Sequence, residues 1–346
     1  MGDRQTMKPQ IAWMAGGLDA CAMYRQFLPH LHMSNSVFLF HLYGLEPDKF
    51  AHCQIAMVQR LASVQNLEAI KLFRRMGMKV IYDLDDDMWS VPVYNPAFKK
   101  MKAWLPGFNI CASKADLITV STQHLRVAVR EELGKQCPPV EVIENAIDFD
   151  WFSPVAESYR KNRHGRVTLG WAGTNTHEGD TKKVFELIPI LLKELPELDF
   201  ELVGMPLPES WKGLEDRIKH RDFVPVAEFA SNWASWQWDI SMAPVDENSF
   251  NRSKSNIKAL EAAAIGIPCV MSNVGEYGKF ARTPLLKEAV LANSQSEWKR
   301  KITRLVKEEA YRKEVGQEMM RVAREFYDIR KRVQEWEVAF QKVMEE

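Results

Sequence analysis

Two lysines four residues apart and a glutamate three further on form the most chemically loaded spacing in the chain: Lys254, Lys258 and Glu261. On a helix, residues three and four apart share a face. The loop ahead of them carries Asp246, Glu247, Asn248, Asn251 and Arg252, and Ser253 or Ser255 can accept a backbone N–H where a helix starts. That helix is predicted to run through Ala264 and to stop at Gly266-Ile267-Pro268. A helix N-terminus offers free N–H groups and the positive end of a dipole, so two lysines there make a seat for a diphosphate. A carboxylate one turn deeper can accept both hydroxyls of a ribose. Phosphates and then ribose along one helix describe a nucleotide diphosphate. A solvated face with a single Glu–Lys pair satisfies the same spacing.

A second constellation is acidic. Asp83, Asp85, Asp86 and Asp87 place four carboxylates within five residues, at the end of a predicted strand over 79–82 and just before Trp89. Ligands bind at the ends of parallel strands. These groups could hold a divalent cation, act as a general base or accept a sugar hydroxyl, or cap the following turn and pair with Arg25 or Arg60. A third set consists of glycine loops after strands: Gly16 and Gly17 after 10–14, and Gly173 with Thr174 after 167–171. Glycine lets a backbone approach a ligand closely, though a plain tight turn uses it too. His177 and Asp180 either order the second loop or serve as ligands. Residues 91–106 read as an irregular segment in which Tyr94, Phe98 and Trp104 alternate with Lys99, Lys100 and Lys102. Such rings and lysines can meet bases, sugars and phosphates, or can simply cap the domain.

The elements that must position these groups alternate between strand and helix. Strands are predicted over 10–14, 37–42, 54–58, 79–82, 115–121 and 138–143, with helices over 21–31, 65–76 and 122–133. The pattern restarts with strands over 167–171, 199–203, 221–224, 240–243 and 269–271 and helices over 181–195 and 228–236. From residue 297 the chain is helical and charged. This alternation implies α/β architecture with parallel sheets. The predicted division is 1–147, 148–306 and a C-terminal helical portion, 307–346, with a polar linker over 154–166. A length of 346 residues suits two domains, and 46% hydrophobic with 27% charged residues is ordinary for a globular core. The 46 basic and 46 acidic residues cancel, so no global field favours nucleic acid or an anionic surface. The five cysteines are odd in number and form no C-x-x-C pair, which points to a reducing, cytoplasmic setting without a zinc or disulfide framework. No apolar run is long enough to span a bilayer.

Several of these motifs resemble one family. Phe250, Asn251, Lys254, Ser255, Lys258 and Glu261 follow F-N-x-x-K-S-x-x-K-x-x-E, and Gly266, Ile267, Pro268 and Val270 follow G-I-P-x-V. Trp171 to Asp180 follows W-x-G-(S/T)-x-x-H-x-x-D, Asp85 to Trp89 follows D-D-D-x-W, and Ala22 to Arg25 follows A-x-Y-R. Together they resemble the retaining glycosyltransferases of the GT-B fold, and within them a subset common in bacteria and phages. The resemblance implies two Rossmann-like domains facing across a cleft, with C-terminal helices crossing back to the first. It implies a nucleotide-diphosphate sugar, by family habit a UDP-sugar, as co-substrate, with no resident cofactor and no metal ligands. Donor binding would fall to Gly16, Gly17, Gly173, Thr174, His177, Asn251, Lys254, Ser255, Lys258 and Glu261. Arg25 and Trp89 would meet the acceptor, and Asp85 and Asp86 would be catalytic. The acceptor hydroxyl would belong to a modified base of phage DNA or to a surface glycan. The chain departs from the wider family at Ser253, where the first of two glutamates spaced by eight residues would stand, so that residue's role does not carry over. An epimerase of the same fold and a catalytically inactive nucleotide-binding protein are the alternative readings.

Overall fold

Short, continuously apolar runs become strands covered on both faces, the condition that parallel sheets require. The computed structural model describes residues 8–15, 17, 19–40, 46–152 and 165–345. Among them, β1 (Ile11–Ala15) and β3 (Ile55–Gln59) are buried along their whole length. With β2 (Ser36–Phe40), β4 (Lys79–Leu84), β5 (Leu117–Val120) and β6 (Val140–Val142) they form a parallel sheet of order β2-β1-β3-β4-β5-β6. Successive side chains of a strand point to opposite faces. Ala12 and Met14 therefore join one core with Phe73 and Phe108, while Ile11 and Trp13 join another. In that second core Trp13 meets the rings of Trp336 and Phe340 edge-on, at centroid distances of 5.5 and 5.7 Å.

Those two aromatics lie on the last helix, Ile329–Glu345. The first compact unit accordingly comprises the described residues of Met1–Ser90, Lys100–Asn145 and Ile329–Glu346. The preceding helix, Glu309–Phe326, belongs to the second unit, where it packs on the helices Ile257–Ala264 and Pro284–Val290. Gly316 makes this approach possible, since a Cβ there would collide with the Gly266 carbonyl. The return to the first unit is thus confined to residues beyond Asp328, not the whole of 307–346.

The second unit comprises Val91–Lys99 and the described residues of Ala146–Asp328. Its sheet holds β7 (Val167–Ala172), β8 (Leu198–Val203), β9 (Ile218–Arg221), β10 (Ile240–Ala243), β11 (Cys269–Ser272) and β12 (Leu291–Ala292). The order is β12-β11-β10-β7-β8-β9, again parallel.

Several elements differ from the sequence reading. The edge strand β9 lies at Ile218–Arg221 rather than 221–224. Lys219, His220 and Arg221 are exposed, so the strand is set by its ladder to β8 and not by a buried face. The helix expected over 181–195 is two helices, Glu178–Phe185 and Ile188–Glu194, because Pro189 starts the second. Residues 91–106 are not irregular throughout: a helix, Phe98–Ala112, runs through Pro106. A π-helical turn, Met23–Phe27, interrupts the first helix. Most of the predicted linker lies outside the described residues. No described helix is long and apolar enough to cross a membrane.

Candidate functional site

In the second unit β7 and β10 are neighbours, and both deliver their C-terminal loops to one edge of the sheet. After β10, Asn248 caps the single turn Ser249–Arg252 by accepting from the Asn251 N–H at 2.8 Å. Asn251 is buried, and its Nδ2 donates to Asp180 Oδ1 at 2.6 Å and to the Asp246 carbonyl at 2.9 Å. The helix proper begins at Ile257, with Asn256 before it, and not at Ser253 or Ser255. Lys254 therefore sits in the loop and Lys258 in the first turn. They still converge. Lys254 Nζ lies 3.6 Å from Asp180 Oδ2 and 4.5 Å from the Phe250 ring centroid. Lys258 Nζ donates to the Ala172 carbonyl at the end of β7 and lies 5.2 Å from the Trp171 ring centroid.

Asp180 organises this corner. His177 Nδ1 is 3.3 Å from its Oδ2, and the Asp246 N–H reaches its Oδ1 at 3.3 Å. Burial alone would raise the Asp180 carboxyl. The hydrogen bond from His177, the charge of Lys254 and the bond from Asn251 outweigh it and hold the group below its usual value. His177 is pushed down to about 4, first by burial and then by the charge of Lys254, so its imidazole is neutral at pH 7. Lys258 is lowered by burial, with the charge of Glu261 acting in the opposite direction. Glu261 is itself buried on the same helix. The His177–Asp180 contact joins the loop after β7 to the helix that follows it.

Gly173, Thr174 and Ser253 each have a local part in the fold. Gly173 does not present its N–H outward, because that group donates to the Val203 carbonyl at 3.1 Å. Glycine is required there for space: a Cβ would come within 2.6 Å of the Trp171 ring and 3.3 Å of Lys258 Nζ. Thr174 Oγ1 is 2.7 Å from Thr176 Oγ1, and its backbone opens the turn Asn175–His177. Ser253 is buried, and its hydroxyl donates back to the Ser249 carbonyl at 3.2 Å. The position of the missing glutamate is therefore turned into the fold. Ser255 is half-buried beside it.

The contribution of Val91–Lys99 was not visible in the sequence. Tyr94 Oη accepts from Asn248 Nδ2 at 3.3 Å, and Asn95 Nδ2 donates to the Thr176 carbonyl at 3.3 Å. The Tyr94 ring fills the space beside Gly179, where a Cβ would collide with it. The segment braces both the glycine loop and the cap of the Ser249–Arg252 turn.

In the first unit the four clustered aspartates separate into two kinds. Asp83 is fully buried and paired with Arg25, whose Nη2 lies 2.7 Å from Oδ1. Gln59 Nε2 and Thr119 Oγ1 complete its shell at 3.1 and 2.7 Å. Arg25 spends its remaining donors on the Ile143 carbonyl and on Asn145 Oδ1, and stacks over Trp336 at 4.8 Å. At 1% exposure Arg25 is a core residue out of reach of an acceptor, which corrects its expected role. Asp87 is buried too and caps a turn, accepting from the N–H groups of Trp89 and Ser90 at 3.2 Å. Trp89 donates through Nε1 to Asn109 at 2.8 Å and packs on the core while staying half-buried.

Asp85 and Asp86 remain, facing Cys21 at the start of the first helix. Asp85 is raised to about 6, first by burial; Arg60 lowers it and Asp86 adds to the rise. Arg60 Nε stands 3.8 Å from Asp85 Oδ1, and its Nη2 is 2.7 Å from Asp19 Oδ2. Arg60 adopts φ 48°, a conformation that a non-glycine residue holds at a cost. Gly17 lies in the loop after β1, where a Cβ would meet nothing within 4 Å, and Gly16 falls outside the described residues.

Two α/β units, each built on a parallel six-stranded sheet, match the GT-B fold. Residues 183–337 match a family model described as glycosyl transferase-like. The whole chain resembles sucrose-phosphate synthase from Thermosynechococcus elongatus, with a TM-score of 0.68 at 12% identity over 97% of this chain and 99% of that one. HepE from Anabaena, solved in complex with UDP-glucose, gives the same values: TM-score 0.68, 12% identity, 97% of this chain and 99% of that one. The pneumococcal O-GlcNAc transferase GtfA, in complex with UDP and GlcNAc, gives a TM-score of 0.60 at 15% identity over 84% of this chain and 57% of that one. No curated protein matches the chain in sequence.

Proposed function

We propose that the protein transfers a sugar from a uridine diphosphate sugar to an acceptor hydroxyl. The observation that carries this reading is the convergence of Lys254 and Lys258 on the Asp180–Asn251 network where β7 and β10 end. Two ammonium groups held there by buried partners suit a diphosphate, and Glu261, one turn further, suits the ribose hydroxyls. The fold shared with proteins solved with UDP or UDP-glucose, and the match over 183–337, support it.

Lys254 and Lys258 then stabilise charge that develops on the leaving diphosphate. No metal is needed for that step. In the retaining course the departing phosphate takes up the acceptor proton. The sugar bond to the diphosphate oxygen breaks and a bond to the acceptor oxygen forms on the same face. Asp85 and Asp86, with Trp89 beside them in sequence, receive the acceptor, and Asp85 is the base if the enzyme inverts. The acceptor is a glycan or a hydroxymethylated base of phage DNA, and an exposed ring such as Trp104 is suited to stacking on a base taken out of its helix.

Ser253 favours a second reading, a nucleotide-binding protein without transferase activity, because its buried hydroxyl cannot replace a carboxylate at the reacting sugar. One assay separates the readings: incubation with several UDP-sugars, with and without acceptors, followed by measurement of UDP and glycosylated product. Acceptor-dependent UDP release supports transfer. Conversion of the sugar without an acceptor indicates the epimerase, and binding without release or conversion indicates the inactive protein.

A further inference from the structure

We propose that Cys21, Asp85 and Asp86 form a binding site for a borderline-soft divalent cation of the zinc or cadmium type. The sulfur and one carboxylate oxygen from each aspartate lie within 4.8 Å of one another. The first helical turn, Ala20–Ala22, and the end of β4 bring them together at one edge of the first sheet. Asp85 is 9% exposed; the Cys21 thiol donates to its carboxylate, while its Oδ1 has no hydrogen-bond partner within range. A buried polar atom left without a partner loses its hydration uncompensated, so such an atom calls for a ligand. Arg60 Nε, at 3.8 Å, is beyond hydrogen-bonding distance, and the same guanidinium is engaged by Asp19 at 2.7 Å. Asp19, Asp85 and Asp86 set three carboxylates against the one guanidinium of Arg60, and a cation redresses that balance.

The donor set selects the ion. Magnesium and calcium take oxygen ligands, whereas zinc accepts sulfur together with carboxylate oxygen and commonly keeps a fourth position for water. Binding displaces the Cys21 thiol proton to the buffer, so affinity rises with pH. The cation is not an activator: it occupies Asp85. Its effect on turnover rests on the reading of Asp85 as a participant in the reaction, and its binding does not.

The test titrates cadmium chloride into the full chain without substrate and follows the thiolate-to-cadmium charge-transfer band in the ultraviolet. A band saturating at one equivalent is expected, insensitive to excess magnesium and weaker at low pH. Cys21→Ser should abolish it, Asp86→Asn should weaken binding by about tenfold or more, and Cys137→Ser, at the other half-buried cysteine, should leave it unchanged. No band, or a band that survives Cys21→Ser, overturns the site. If Cys21→Ser does not fold, unchanged affinity in Asp86→Asn overturns it equally. A second arm measures turnover at one equivalent of cadmium. Binding with turnover intact keeps the site and removes Asp85 from the reaction, whereas absent binding removes the site and leaves the proposed reaction standing.

Discussion

Replacing Lys258 by methionine isolates the charge on which the proposed donor site depends. The Lys258 stem lies by Trp171 and its Nζ is held at the Ala172 carbonyl, 3.3 Å from where a Gly173 Cβ would stand. Methionine fills nearly the same volume, so the packing against Trp171 survives while the ammonium is lost. A hydrogen bond to a charged group contributes about 1.5–3 kcal/mol. At about 1.4 kcal/mol per tenfold, Kd for UDP should rise roughly ten- to a hundredfold. The Ala172 carbonyl loses its partner as well, so Tm should fall modestly. Calorimetric titration with UDP reads the first effect and a thermal melt the second. The pH dependence adds an independent check. Burial lowers the Lys258 pKa, so UDP affinity in the parent protein should start to decline below the usual lysine range as the solution is made alkaline. Lys258→Met should lack that step. Unchanged UDP affinity in folded Lys258→Met and in folded Lys254→Ala would move the phosphate site elsewhere.

Asp85→Asn and Asp86→Asn should each lower turnover by on the order of a hundredfold while UDP affinity and Tm change little; preserved turnover would remove them from the reaction. Arg25→Met leaves Asp83 charged and unpaired in the core, so urea unfolding should show a loss of about 3–5 kcal/mol, with UDP affinity per folded molecule unchanged. His177 titrates at about 4 in the folded protein against 6.5 for the ordinary group. As the pH falls from about 6.5 to 4 the unfolded chain takes up that proton and the folded one does not, so stability should drop by up to about 3 kcal/mol. His177→Gln should flatten the slope, and equal slopes in the two proteins would show an ordinary imidazole. Turnover should persist in chelator, and a loss restored by magnesium or manganese would make the aspartates ligands of a required metal.

The architecture was legible from the chain alone, and so were the residue types on which the proposed donor site rests. Alternating apolar runs and helical periods define a repeated α/β pattern, because parallel strands must be buried on both faces. The spacing of Lys254, Lys258 and Glu261 and the glycine at 173 are local signals, readable along one stretch of chain. Arg25 and Arg60 could be named in advance as candidate partners of the aspartates, but not which carboxylate each would take. Which of four adjacent carboxylates is structural depends on Arg25 and Thr119, 58 and 36 residues away from Asp83, and only folding brings them together. The same holds for Gly173, whose N–H is claimed by Val203 across the sheet, and for Tyr94, which packs against Gly179 and bonds Asn248. It holds again for β9, an exposed edge strand with no buried face to give it a period. Residue type fixes what a side chain can do, but burial and hydrogen-bond partners, which are properties of the tertiary structure, decide what is left for it to do.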